Sequence, residues 1–126
     1  MNLATFLTIK SIISLAFGIA FALAPAAAMS LYGLTLDPVG ILMSRYVGAA
    51  LIGIGLVCWF ARSSADSKLR QGVILSLFIA DTIGFIAGLS GQLAPPASPL
   101  GWVNVAIWLL LALGLGYFRF LKPGAS

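Results

Sequence analysis

An all-α integral membrane fold, a four-helix antiparallel bundle in one domain over residues 1–126, is what this sequence predicts, and three observations predict it. Hydrophobic residues make up 61% of the chain and charged residues only 8%, with a mean hydropathy of +1.11. Soluble domains carry about 25% charged residues, so this chain has too few to coat a water-facing surface. Second, four apolar runs of about twenty residues follow one another, at about 3–24, 38–61, 69–90 and 100–121. At about 1.5 Å per residue each is long enough to cross a hydrocarbon core roughly 30 Å thick. Third, small residues recur at four-residue intervals along every run, the pattern by which helices approach closely in lipid.

The first run ends at Pro25 and contains Lys10. It also has the outline of a secretory signal: an n-region ending at Lys10, an apolar stretch over 11–24 and a small-residue Ala26-Ala27-Ala28 site. Because the whole run is long enough to span, a retained helix is the expectation. Residues 26–36, AAAMSLYGLTL, are too apolar for an ordinary loop. They predict a short interfacial helix between the first and second spans, closed by Gly33 as its C′ residue, with Tyr32 at headgroup depth. Asp37 then caps the second span with Pro38 at its first position, where a missing N–H does no harm.

Residues 62–70, RSSADSKLR, form a polar hinge short enough to make the second and third spans antiparallel neighbours. The third span carries Asp81. An uncharged loop over 91–99 follows, kept extended by Pro95-Pro96, and Ser98-Pro99 repeats the cap-and-proline start of the second span. Pro123-Gly124 ends the fourth span. Among the end residues, Trp59, Trp102, Tyr117 and Phe118 are expected as interfacial anchors. Cys58 is expected as a small packing residue, and Thr5, Thr8 and Ser11 are expected to bond back to their own helix.

Loop charge predicts orientation. Arg62, Lys68 and Arg70 lie between the second and third spans and Arg119 and Lys122 at the C-terminal end, whereas the other two loops contain no lysine or arginine. The positive-inside rule then puts both termini in the cytoplasm of a bacterial inner membrane. It also argues against an antiparallel homodimer, which requires nearly balanced charge.

The helix-packing positions expected from the small-residue pattern are Gly48 and Gly53 on the second span and Gly84 and Gly88 on the third, used within the bundle rather than for dimerisation. Intramembrane charges fall beside them. Asp81 precedes Gly84 and Gly88 by three and seven residues, Arg45 precedes Gly48 by three, and Lys10 precedes Ser14 and Gly18 by four and eight. Counting from the non-cytoplasmic boundary, Arg45 falls ~10 Å deep and Asp81 ~14 Å deep. An unpaired charge there costs about 2.5–3.5 kcal/mol on insertion scales. An Arg45–Asp81 pair is therefore expected inside the bundle, with Asn104 and Lys10 as candidate third members and Lys10 otherwise snorkelling outward.

The inventory excludes several chemistries. There is no histidine and no glutamate, one cysteine, and three aspartates, Asp37, Asp66 and Asp81. Imidazole ligation, a CxxC centre, a hydrolase triad and a carboxylate-bridged metal site are all out of reach of this set, so no metal, cofactor or enzymatic activity is expected. The net charge of +4 is spent on topology rather than gathered into a patch, so nucleic acid is not an expected partner.

Pro25, Leu31-Tyr32-Gly33, Asp37, Gly40, Arg45-Tyr46-Val47-Gly48-Ala49 and Arg62 together give the chain a layout that resembles small four-helix bacterial inner-membrane proteins of the DoxX-like type. The resemblance implies a four-helix membrane fold and no particular reaction. Small multidrug transporters have similar length, but depend on a glutamate in the first helix where this chain has Lys10. Fluoride channels of similar size carry Gly-Ala before Arg-Tyr in the first helix, the reverse of the order here. The functional expectation is an accessory or structural subunit that contacts membrane lipids and other membrane protein subunits. The alternative is a small transporter or channel working through Asp81 and Arg45.

Overall fold

A computed structural model describes residues 2–93 and 98–121. It contains helix α1 (Leu3–Leu23), a short helix α2 (Pro25–Ser30), α3 (Pro38–Ala61), α4 (Ser67–Leu93) and α5 (Pro99–Gly116). A π-helical turn over Tyr117–Leu121 follows α5 directly. The architecture is all-α, with four long apolar helices packed pairwise and α2 set between α1 and α3. Pro95-Pro96, Lys122 and Pro123-Gly124 lie outside the described residues.

Each boundary has a local cause. The Asn2 side chain accepts a bond from Thr5 N at 2.8 Å and opens α1, Asp37 accepts from Gly40 N at 2.7 Å to open α3, and Ser98 accepts from Gly101 N to open α5. Asp66 takes the same role for α4 by accepting from Leu69 N at 3.1 Å. Pro25 stops α1, because the residue before a proline is pushed out of the helical region. Ala24 accordingly leaves the helical region of backbone space, and its N–H makes the last bond of the helix, to Ala20 O. The short helix closes at Gly33, whose φ of +73° is open to glycine. Gly33 N donates to Ser30 O and Leu34 N to Met29 O, the paired bonds of a Schellman cap, so the expected C′ role is the one found.

The first pair is α1 against α3, and its contacts are backbone to backbone. A Cβ placed on Gly48 would lie 2.5 Å from Ala22 N and 2.7 Å from Gly18 O, and one on Gly18 would lie 2.8 Å from Gly48 O. Further along, Ser11 Oγ donates to Gly55 O at 2.7 Å. As numbering falls on α1 from 18 to 11 it rises on α3 from 48 to 55, so the two run antiparallel. Ser11 thus bonds across the pair, not back to its own helix as expected; α3 comes so close at Gly55 that its carbonyl outcompetes the local one. Thr8 behaves as expected, donating to Ala4 O at 2.8 Å.

The second pair is α4 against α5, and here a glycine receives a side chain. The indole of Trp108 lies over Gly84, and Gly88 faces Val105. At the other end of this pair Phe78 lies against Gly116. Gly53, by contrast, has nothing within 4 Å of where its Cβ would be, so it takes no part in packing within the bundle.

The two pairs meet at one end only. Leu3 and Leu7 of α1, Cys58 and Ala61 of α3, Ile74 and Leu77 of α4, and Leu115 and Phe118 at the end of α5 form one buried apolar cluster. Phe118, expected as an interfacial anchor, belongs to this core, its ring 5.6 Å from that of Phe6. The wide turn over 117–121 carries its side chain inward while Tyr117 stays exposed. Arg62 and Arg119 lie at this same end, and the Arg62 guanidinium sits 3.7 Å above the ring of Trp59. We call it the basic end.

Candidate functional site

Above the apolar cluster the chain places a single ion pair. Lys10 Nζ of α1 donates to Asp81 Oδ2 of α4 at 2.6 Å, with each residue only 2% exposed. No other ion pair occurs among the described residues. The expected Arg45–Asp81 pair is therefore corrected: Asp81 is held by Lys10, and Arg45 is exposed on the outer face of α3.

Helix length supplies the reason. The third apolar run predicts a stop near residue 90, but α4 continues to Leu93. Asp81 is twelve residues before Leu93, which at helical rise puts it ~18 Å from the far end of its helix. Lys10 is ~20 Å from Leu23 by the same count, whereas Arg45 is only ~10 Å from Pro38. Lys10 and Asp81 share a depth; Arg45 and Asp81 do not. Asn104 makes no side-chain hydrogen bond to Arg45, Tyr46 or any other described residue.

Away from the basic end the two helix pairs diverge and leave a cleft of about 630 Å³. Lys10 and Ser14 lie toward its floor. Phe17, Phe21, Leu51, Ile54, Ile107 and Trp108 form walls, and Tyr32, Gln92 and Ser98 lie toward the opposite end. Gln92 Nε2 donates to Ser98 O at 2.6 Å, tying the end of α4 to the start of α5 at the rim. Partial burial pushes the Tyr32 hydroxyl above its ordinary value of 10.0, so it stands at the rim as a neutral phenol.

Several of these residues carry no functional expectation from the sequence. Ser14 stands there only as a small residue near Lys10, and Trp108 is assigned no role; the signal available is that Ser14 follows Lys10 by one turn and Trp108 follows Asn104 by one turn. Tyr32 and Gln92 join the lining from the segment after α2 and from the last turn of α4, which no periodicity in the sequence announces. Gly88 lines the cleft, while Gly48 and Gly84 lie within the helix pairs that form its sides. Among the described residues no three metal-ligating side chains come together.

Four helices of membrane-crossing length and hydropathy define a small multi-pass membrane protein. Residues 8–121 match the family described as Domain of unknown function (DUF8292), and the chain belongs to it. No curated protein and no solved structure matches the chain, and the family match carries no link to DoxX-like proteins.

Proposed function

We propose that the protein is an accessory or structural subunit of a bacterial inner membrane, without catalytic activity of its own, that docks sideways on another membrane protein. Both termini and the basic end face the cytoplasm in this reading, because Arg62, Lys68, Arg70 and Arg119 all gather there. The observation that carries it is the outward Arg45. A guanidinium about 10 Å inside a span, exposed on the helix surface and beside a Tyr46 that is 61% exposed, is stabilised by a carboxylate at its own depth more than by stretching to the headgroups. A helix of a neighbouring subunit carrying an acidic side chain supplies one.

The test is a photoreactive phenylalanine analogue in place of Tyr46, irradiated in native membranes. One discrete heavier protein species is expected, and Arg45→Leu should abolish it while leaving the amount of folded protein unchanged. Crosslinks to lipid alone would sink the subunit reading.

A transport reading has one observation in its favour: the cleft reaches Lys10, and Lys10 holds Asp81. Flux would require the eight-residue apolar cluster beyond the pair to open, and Arg45 has no place on such a route. Asp81→Asn in liposomes separates the readings. Loss of solute flux with assembly intact supports transport, and failure to assemble supports a structural pair.

A further inference from the structure

We propose that the cleft between the helix pairs is a binding site for one uncharged lipid-class amphiphile. Its hydrogen-bonding head lies between Ser14 and Asn104 and its hydrocarbon chain runs along Phe17, Phe21, Leu51 and Ile107. This goes beyond the subunit reading and does not depend on what Arg45 meets.

Size selects the kind of occupant. A helix with side chains is roughly 10–12 Å across, so about 630 Å³ would house little more than one turn of it. A single hydrocarbon chain fits wholly inside, and the volume falls in the range of pockets that take small molecules, about 300–1,000 Å³. The walls are aromatic and aliphatic, and such a surface favours a hydrocarbon over water.

Charge selects the head. The one charged lining residue is Lys10, and its ammonium is already committed to Asp81 at 2.6 Å. An anionic head beside this neutral pair would leave one net negative charge in the membrane interior, and a cationic head would meet no free acid. What remains open is neutral. Ser14 is 5% exposed, lines the cleft, and its hydroxyl has no hydrogen-bond partner among the described residues. A helical serine deep in a bundle ordinarily bonds back to its own helix or across to a neighbour, as Ser11 does one turn earlier. Asn104, also in the lining, has no side-chain partner among the described residues either, and its amide both donates and accepts. A carbonyl or hydroxyl head satisfies both residues without adding charge.

Entry is from the end away from the apolar cluster or sideways from the bilayer, since Leu3, Leu7, Leu77 and Leu115 close the basic end.

The chain has three tryptophans, and one of them, Trp108, lines the cleft. Replacing Trp59 and Trp102 with phenylalanine leaves Trp108 as the sole tryptophan, excited selectively over the tyrosines. The protein is reconstituted in phosphatidylcholine vesicles and titrated with three contact quenchers of equal chain length: a dibrominated long-chain alcohol, the ionised dibrominated fatty acid, and dibrominated phosphatidylcholine. The alcohol is expected to reach half-maximal quenching at a mole fraction about tenfold below either of the others. Ser14→Ala and Asn104→Leu should each raise that mole fraction roughly three- to tenfold, the worth of one hydrogen bond. Equal dependence on all three quenchers, a preference for the fatty acid, or quenching of Trp108 by aqueous iodide with no response to the alcohol would each overturn the assignment. The comparison among quenchers stands on the parent protein, so it holds even where a site variant fails to fold.

Discussion

Lys10 and Asp81 are 71 residues apart in the chain and 2.6 Å apart in the bundle, and their bond joins the α1–α3 pair to the α4–α5 pair at the floor of the cleft. Removing one partner strands a charge where water does not reach. Lys10→Met or Asp81→Leu should therefore cost about 3–5 kcal/mol, read as a fall in the thermal midpoint in mild detergent. The double variant, apolar on both sides, should recover most of that loss, because no charge is left to solvate. Additive losses in the double variant would mean the two side chains do not act as a pair.

Gly48 and Gly53 stand in the same helix and have opposite surroundings. A Cβ at Gly48 meets the backbone of Ala22 and Gly18, neither of which can swing aside as a side chain would. Gly48→Ala should force α1 and α3 apart at a cost of about 1–3 kcal/mol, typical of an overpacked contact. Gly53→Ala meets open space and should be neutral or stabilising by up to about 1 kcal/mol, the helix-propensity gain. The comparison is made by thermal midpoint in one detergent, and equal effects at the two sites would refute the packing described.

Ser11 reaches across to Gly55 O rather than back along α1. Ser11→Ala should cost about 0.6 kcal/mol, the mean for such bonds in membrane helices and below the ~1.7 kcal/mol at the top of their range. Ser11→Thr retains the hydroxyl but adds a methyl group at a fully buried position between α1 and α3, so it should lose more than Ser11→Ala. The reverse order, by thermal midpoint, would show that the hydrogen bond outweighs the fit.

The helices and their caps are legible in the sequence because they follow from local rules. Apolar run length, Asp37-Pro38, Ser98-Pro99 and Gly33 each announce a boundary without reference to the rest of the chain. Pairing of the charges is not legible to the same degree. It turns on depth, and three residues more of α4 move Asp81 from ~14 Å to ~18 Å below the end of its helix, away from Arg45 at ~10 Å and toward Lys10 at ~20 Å. The GxxxG at Gly84 and Gly88 reads as a seam for close backbones, yet it is the bed for the Trp108 ring; the spacing marks room, and what fills it is decided by the facing helix. The cleft has no sequence signal of its own. It arises from the way two tight pairs touch at one end, and no single helix records that.

Orientation yields to thiol chemistry, because the lone native cysteine, Cys58, is wholly buried in the apolar cluster. It should stay unlabelled by a membrane-impermeant maleimide until the protein is unfolded. Exposed Ser30 at the end of α2 and exposed Ala65 in the hinge lie at opposite ends of the bundle, and each tolerates a small thiol. With the basic end cytoplasmic, Ser30→Cys should label in intact spheroplasts and Ala65→Cys only after lysis. The driving force is the cluster of Arg62, Lys68 and Arg70, so changing all three to glutamine should weaken the bias, and Ala65→Cys in that background should begin to label in intact cells. If Ala65→Cys labels from outside in the parent protein, the basic end faces away from the cytoplasm, and the cleft, the Lys10–Asp81 floor and the outward Arg45 all exchange leaflets with it.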